Sequence, residues 1–108
     1  MQSKGNAPSA AQKRWREAVR DAGSKESGEK MQIHHPVGAT AKHNKVHIGH
    51  WWVIPVDEQS HKDLHAGLLG KGRKTVEKQV FSNVVKHLYN HPDRPPLEAL
   101  DAIMDYHI

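Results

Sequence analysis

Cysteine is absent from this 108-residue chain, and bulky apolar residues are few. Without cysteine the chain has no disulfide scaffold, thiolate zinc finger, iron–sulfur centre or cysteine nucleophile. Leu, Ile, Val and Phe together number 21, which predicts a small hydrophobic core. At this length a single domain over residues 1–108 is expected, and a bound ion would help to stabilise so small a core.

Long apolar runs are missing as well. No stretch approaches the ~20 apolar residues that a membrane-spanning helix needs, so no membrane partner is expected. The first six residues are polar and lack the apolar core of a secretory signal, which favours a cytoplasmic protein. Lys and Arg number 16 against 12 Asp and Glu, and the resulting charge of +4 suits a polyanionic partner.

Histidine, in contrast, is abundant, with ten residues. His61 and His65 are four residues apart on a predicted helix with Asp57 as its N-cap, so both can bind one ion from one helix face. His34 and His35 are adjacent at the end of a predicted strand, and their side chains should therefore point to opposite faces. One of this pair is expected to join the ion, and the other is free to accept a proton from water.

The pattern of apolar residues and breakers predicts an α+β fold in which two short strands form a hairpin between helices. Ser9 and Gln12 form a capping box at the first helix start, and Gly23 is predicted to end that helix. Pro36 and Pro55 are expected to stop the two strands. The predicted segments are a flexible arm (1–8), a helix (9–23), a polar loop (23–30), a strand (31–35), a loop (37–49), a second strand (51–54), the histidine helix (57–67) and C-terminal helices (73–108).

This order of a His-His pair, a second strand and a His-x-x-x-His helix resembles the ββα-metal (His-Me finger) fold of HNH endonucleases, over about Ile33 to His65. The longer stretch from Trp15 is most similar to phage recombination-enhancement nucleases, HNH-type enzymes that cut DNA at sites occupied by RecA. The resemblance implies a ββα-metal core over residues 31–66. It also implies a metal-dependent DNA endonuclease of phage or prophage recombination, acting in the cytoplasm of a bacterial host.

The resemblance also assigns roles to individual histidines. His35 is implied to be the general base that activates water. His50 lies where the recombination-enhancement nucleases carry an Asp, and it is a candidate extra ligand or orienting group. Trp52 stands where HNH enzymes carry an Asn that orients the base. The implied metal ligands are His34, His61 and His65.

One divalent ion per chain is expected at these ligands. An all-imidazole shell accepts Zn²⁺, Ni²⁺ or Mn²⁺ readily, whereas Mg²⁺ prefers oxygen, and the identity of the ion stays open among the four. Basic residues beside the predicted site are candidates for contacts with DNA phosphates. These candidates are Lys42, Lys45, Lys71, Arg73 and Lys74.

The expected partners are DNA and a RecA-type recombinase filament, with the chain as a monomer or homodimer. Two alternatives stay open because Trp52 replaces the usual Asn. One is a catalytically weakened DNA-binding module with a structural metal site. The other is an adaptor that binds a recombinase or a packaging protein and uses the metal only for folding.

Overall fold

The structure is a computed structural model that describes residues 7–67 and 72–106. Within these ranges the chain has four helices and two small antiparallel two-stranded sheets, which confirms the α+β prediction. Residues 1–6 of the predicted arm and the candidate Lys71 lie outside the described residues. The elements in chain order are α1 (Ala10–Ser27), β1 (Gln32–His34), β2 (Lys42–His43), β3 (Val46–His47), β4 (Ile54–Val56), α2 (Glu58–His65), α3 (Arg73–His87) and α4 (Leu97–Asp105).

The two predicted helix starts are confirmed. At α1 the Ser9 hydroxyl accepts from the Gln12 N–H at 3.1 Å, and the Gln12 side chain accepts from the Ser9 N–H at 2.8 Å. At α2 the Asp57 carboxylate accepts from the Ser60 N–H at 2.7 Å. Each cap satisfies donors that the first turn of a helix leaves without a partner, so both starts follow from local sequence.

The predicted end of α1 is wrong. The helix continues through Gly23 to Ser27, and it ends at Gly28 in the left-handed conformation, with φ 76°. A Cβ at position 23 would lie 2.8 Å from Cγ of Pro55 and closer still to its Cβ. The glycine therefore allows close approach of α1 to β4 and does not terminate the helix.

β1 and β4 form the antiparallel hairpin that the sequence predicts, with His34 opposite Ile54. The bounds of the second strand differ from the predicted 51–54, because Pro55 lies inside β4, opposite Ile33. Both strands of a two-stranded sheet are edge strands. The missing N–H of a proline is tolerated in such a strand.

The predicted loop 37–49 contains a second small hairpin. β2 and β3 pair in antiparallel fashion around Asn44 and Lys45, which both have positive φ angles of 52° and 66°. Two consecutive positive φ values are typical of a type I′ turn. The chain then makes a turn in which the Trp52 N–H donates to the Ile48 carbonyl at 2.7 Å, so β4 starts later than predicted.

A small core joins α1, β4 and the C-terminal helices. The Trp15 indole N–H donates to the Trp51 carbonyl at 3.1 Å, which ties α1 to the segment before β4. Among the described residues, no helix combines the length and apolar character that crossing a membrane requires. The buried core cluster consists of Trp15, Val19, Ile48, Trp52, Val53, Ile54, Val56, Leu64, Phe81, Ala102 and Ile103.

Candidate metal centre

Three of the histidines singled out from the sequence meet at the junction of β1 and α2. One ring nitrogen from each of His34, His61 and His65 lies within 4.8 Å of the others. His34 ends β1 and is buried, His61 is half-buried, and His65 is exposed on the next turn of α2. The group is therefore anchored on the protein side and open on the solvent side.

The hydrogen bonds around this group show which nitrogens are left to bind an ion. His34 Nε2 lies 2.6 Å from Glu77 Oε2, while His34 Nδ1 is buried with no hydrogen-bond partner among the described residues. His61 Nδ1 donates to Gln32 Oε1 at 2.7 Å, so its Nε2 carries the lone pair. That Nε2 lies 3.1 Å from His65 Nε2.

The distance between the two helix histidines fits a bound transition-metal ion. Tetrahedral zinc with bonds of about 2.0–2.1 Å needs neighbouring ligand nitrogens about 3.3–3.4 Å apart, close to the 3.1 Å between His61 and His65. The orphaned Nδ1 of His34 gives the group a buried acceptor that an ion would satisfy. Three protein ligands leave positions for water or substrate, as in catalytic rather than structural sites.

The electrostatics of the group also favour metal binding. The pKa of His61 is lowered, first by burial and then by the neighbouring His34 and His65. An imidazole must be neutral to bind a metal ion, and the lowered pKa of His61 favours its neutral form.

His35 and His50 lie beside this group without being members of it. Their rings are nearly perpendicular, with centroids 6.4 Å apart. His35 is half-buried and His50 is buried, 8% exposed. The pKa of His35 is lowered, mainly by burial and next by the charges of His50 and Arg16. His50 is therefore a neighbour of His35, which itself lies near His34 and His61.

Glu77 also belongs to the site, although it is not among the residues predicted from the sequence. It lies on α3, fully buried, and its carboxylate is bound by His34, Arg73 and Lys74. Burial opposes ionisation, but the His34 hydrogen bond and the two cations outweigh it and lower the pKa of Glu77. Glu77 is four residues before the buried Phe81, so its position on the apolar face of α3 is the signal that could have found it.

The basic candidates divide into two groups. Arg73 and Lys74 both donate to the Pro36 carbonyl as well as contacting the buried carboxylate on α3, so they are bonded within the protein. Lys42 and Lys45 are exposed on the β2–β3 hairpin.

Trp52 occupies the core and not the site. Its side chain is fully buried, and its ring packs edge-on against Tyr106 at 5.8 Å between centroids. The large indole therefore contributes packing at the position where the family resemblance expects a small amide.

Comparisons with other proteins add no further identification. The chain matches no protein-family model, and no curated protein or solved structure is significantly similar to it. Within residues 7–67 and 72–106, the group at His34, His61 and His65 is the one set of three or more ligand-type side chains close enough to share an ion. Function has to be inferred from this group and its surroundings.

Proposed function

We propose that this protein is a metal-dependent DNA endonuclease of the HNH type, with β1, β4 and α2 as its ββα-metal unit. The observation that carries the proposal is the convergence of His34, His61 and His65, each with a nitrogen left for an ion. A further histidine, His35, follows the first ligand directly and stays outside the ligand group. Ligands and a separate base are what metal-assisted phosphodiester hydrolysis requires.

The three imidazoles would hold one divalent ion. When bound there, such an ion would bind a phosphate oxygen and offset the negative charge that develops during cleavage. Nitrogen ligands favour Zn²⁺, Ni²⁺ or Mn²⁺ over Mg²⁺ as the resident ion. The exposed edge of the group, at His65, is the side from which a DNA backbone would approach.

His35 is the proposed general base. A half-buried imidazole beside the ligand group can accept the proton of the attacking water, as histidines do in many hydrolases. His50 packs near its ring and is the proposed orienting group. In this assignment His50 is not a ligand, because it lies outside the three-histidine group.

DNA is the proposed substrate because of the sequence resemblance, and exposed lysines on a hairpin of the same chain are consistent with it. Lys42 and Lys45 project from the β2–β3 hairpin, and the chain carries a net charge of +4. Such residues contact phosphates without reading sequence. A RecA-type filament as partner and a phage or prophage setting in the host cytoplasm rest on the sequence resemblance alone.

The second candidate is a DNA-binding module or adaptor in which the ion is structural. The buried Trp52 favours this alternative, because the side chain expected to orient the base is replaced by core packing. In that case metal and DNA would both bind, but the plasmid would not be cut.

Nicking of supercoiled plasmid with Mn²⁺, Mg²⁺, Ni²⁺ or Zn²⁺ tests the proposal. Wild type and the control His87→Ala, which changes an exposed histidine on α3, should nick at the same rate. His35→Ala should retain metal and DNA but nick at least about 100-fold more slowly. If the plasmid stays intact with all three proteins, at concentrations where metal and DNA are bound, the nuclease proposal is overturned. That result would favour the DNA-binding module.

A further inference from the structure

The buried pair of His34 and Glu77 supports an inference that rests on the proposed metal centre. Nε2 and Oε2 are 2.6 Å apart, and both side chains are 1% exposed. A buried carboxylate is costly unless it is paired, and here Arg73 and Lys74 supply two cations beside it. The pair is thus part of a largely buried cluster of charged and polar side chains and is not a surface contact.

The hydrogen bond between His34 and Glu77 indicates which ring nitrogen of His34 carries the proton. An ionised carboxylate can only accept, so the neutral imidazole must carry its proton on Nε2 and donate it to Glu77. Its lone pair is then on Nδ1. That atom is the one with no partner among the described residues, and it is the nitrogen left to join His61 and His65.

Arg73 and Lys74 hold Glu77 in place relative to the strand that carries His34. Arg73 donates from Nε to Glu77 and from Nη2 to the Pro36 carbonyl at 3.2 Å, and Lys74 contacts the same two groups. Pro36 is two residues after His34. The start of α3 is therefore clamped to the end of β1 at both the side chain and the backbone.

We propose that Glu77 is a positioning residue, which fixes the tautomer and ring orientation of His34 so that Nδ1 faces the ion. Carboxylate–histidine–metal arrangements of this kind raise the basicity of the ligand and restrict its rotation. Arg73 and Lys74 serve this role by holding the Glu77 carboxylate in place. Glu77 itself does not contact the ion or the substrate.

The first test uses the ion-free wild type and needs no substitution. Long-range ¹H–¹⁵N correlation spectra of labelled protein distinguish an imidazole protonated at Nε2 from one protonated at Nδ1. We expect His34 to be in the Nε2-protonated form, with a single set of signals. A His34 protonated at Nδ1, or an even mixture of tautomers, would overturn the proposal.

The second test measures metal affinity in Glu77→Gln by competition with a chromophoric chelator, using Co²⁺ and Zn²⁺. A glutamine at this position must turn its NH₂ toward either His34 or Arg73, so one contact between two donors is unavoidable. We expect the dissociation constant to rise about 10–100-fold and the His34 signals to show both tautomers. An unchanged dissociation constant with a single Nε2-protonated form would show that Glu77 only supports the fold.

Phe81→Leu is the matched control, since it changes a fully buried residue one turn further along α3. It should lower the melting temperature but leave the dissociation constant within about twofold of wild type, because it keeps the carboxylate that bonds His34. An equal loss of affinity in Phe81→Leu would count against a specific role for Glu77. If Glu77→Gln does not fold, the tautomer of the wild type still decides.

These measurements do not use DNA, so they separate the two proposals. If the wild type binds metal through an Nε2-protonated His34 and never nicks plasmid, the nuclease proposal is overturned. That result would still support the role of Glu77. A protein that nicks plasmid while His34 is protonated at Nδ1 would support the nuclease proposal and overturn the role of Glu77.

Discussion

The Nε2 atoms of His61 and His65 lie 3.1 Å apart on adjacent turns of α2. The i,i+4 spacing brings the rings to one face, and the contact from Gln32 on β1 orients the first ring so that its lone pair faces the second. The helix half of the candidate metal centre is therefore oriented by two elements that are distant in sequence. The first prediction follows directly from it.

About one transition-metal ion should bind per chain, and His61→Ala or His65→Ala should reduce that stoichiometry. Removing either imidazole leaves two ligands, too few for tight binding. Mass spectrometry of dialysed protein measures the metal content, with His87→Ala as the control. At a free concentration 100 times its dissociation constant, zinc should stabilise the wild type by about 2.7 kcal/mol. Full retention of metal in both helix variants would remove the site assignment.

Asp57→Ala should weaken metal binding through the helix. The carboxylate caps α2 at Ser60, and the pKa of Asp57 is lowered mainly by that backbone N–H. Without the cap the first turns of α2 fray, and the two histidines lose their common orientation. We expect a lower melting temperature and a higher dissociation constant for zinc, both measured by calorimetry. Lys62→Ala, an exposed change on the same helix, should leave both unchanged.

Gly23→Ala should destabilise the protein by about 1–3 kcal/mol, although alanine usually stabilises a helix interior relative to glycine. The added methyl would overlap with Pro55 and push α1 from β4. Urea unfolding measures the change. Gly72→Ala is the control, because a Cβ there meets nothing within 4 Å, and its effect should stay within about 0.5 kcal/mol. A stabilised Gly23→Ala would contradict the close packing.

Lys45→Gly should raise the stability of the protein and lower its affinity for DNA. Lys45 has a φ of 66°, a conformation that glycine adopts without steric cost, so the free energy of unfolding should rise by up to about 1 kcal/mol. The same change removes an exposed cation, and DNA affinity should fall with a salt slope reduced by about 1. Lys45→Ala should lose DNA affinity equally without the gain in stability. Unchanged DNA affinity in both variants would exclude Lys45 from the interface.

Asp93→Asn should lower stability near neutral pH but not in acid. Arg14 donates to the Asp93 carboxylate from Nε at 2.8 Å and from Nη2 at 3.0 Å, and this pairing lowers the pKa of Asp93 in the folded state. The stabilisation is present above the unfolded value of about 3.9 and is lost as pH falls through the lower folded value.

Thermal unfolding between pH 7 and pH 2 measures this dependence on pH. The difference between wild type and Asp93→Asn should shrink toward zero at the acid end. Asp21→Asn is the control, an exposed acidic residue on the same helix as Arg14. A constant difference across the whole range would mean that Asp93 acts through packing and not through its charge.

Local features of the chain were predictable because they depend on neighbours in sequence. The capping box at Ser9 and the cap at Asp57 need partners only three residues away. The antiparallel pairing of β1 with β4 also follows, since two short strands must pair to satisfy their backbone groups. The histidine spacing on α2 placed two imidazole rings on one helix face for the same local reason.

Features that depend on distant partners were not predictable from the pattern. Gly23 reads as a helix end, and only its contact with Pro55, 32 residues later, explains why the helix continues. Pro55 reads as a strand breaker, but the two-stranded sheet leaves room for it inside β4. The position of Glu77 on the apolar face of α3 suggests burial, but only the fold shows that its carboxylate meets His34.

The sequence by itself determined that no thiolate can hold an ion in this protein, and that two candidate imidazole ligands share a helix face. It also determined the α+β order, because capping residues, prolines and histidine spacing act within a few residues. Tertiary structure alone decided which nitrogen of His34 and of His61 is left for an ion. That choice depends on Glu77 and Gln32, whose contacts with His34 and His61 arise only when α3 and β1 pack around the site.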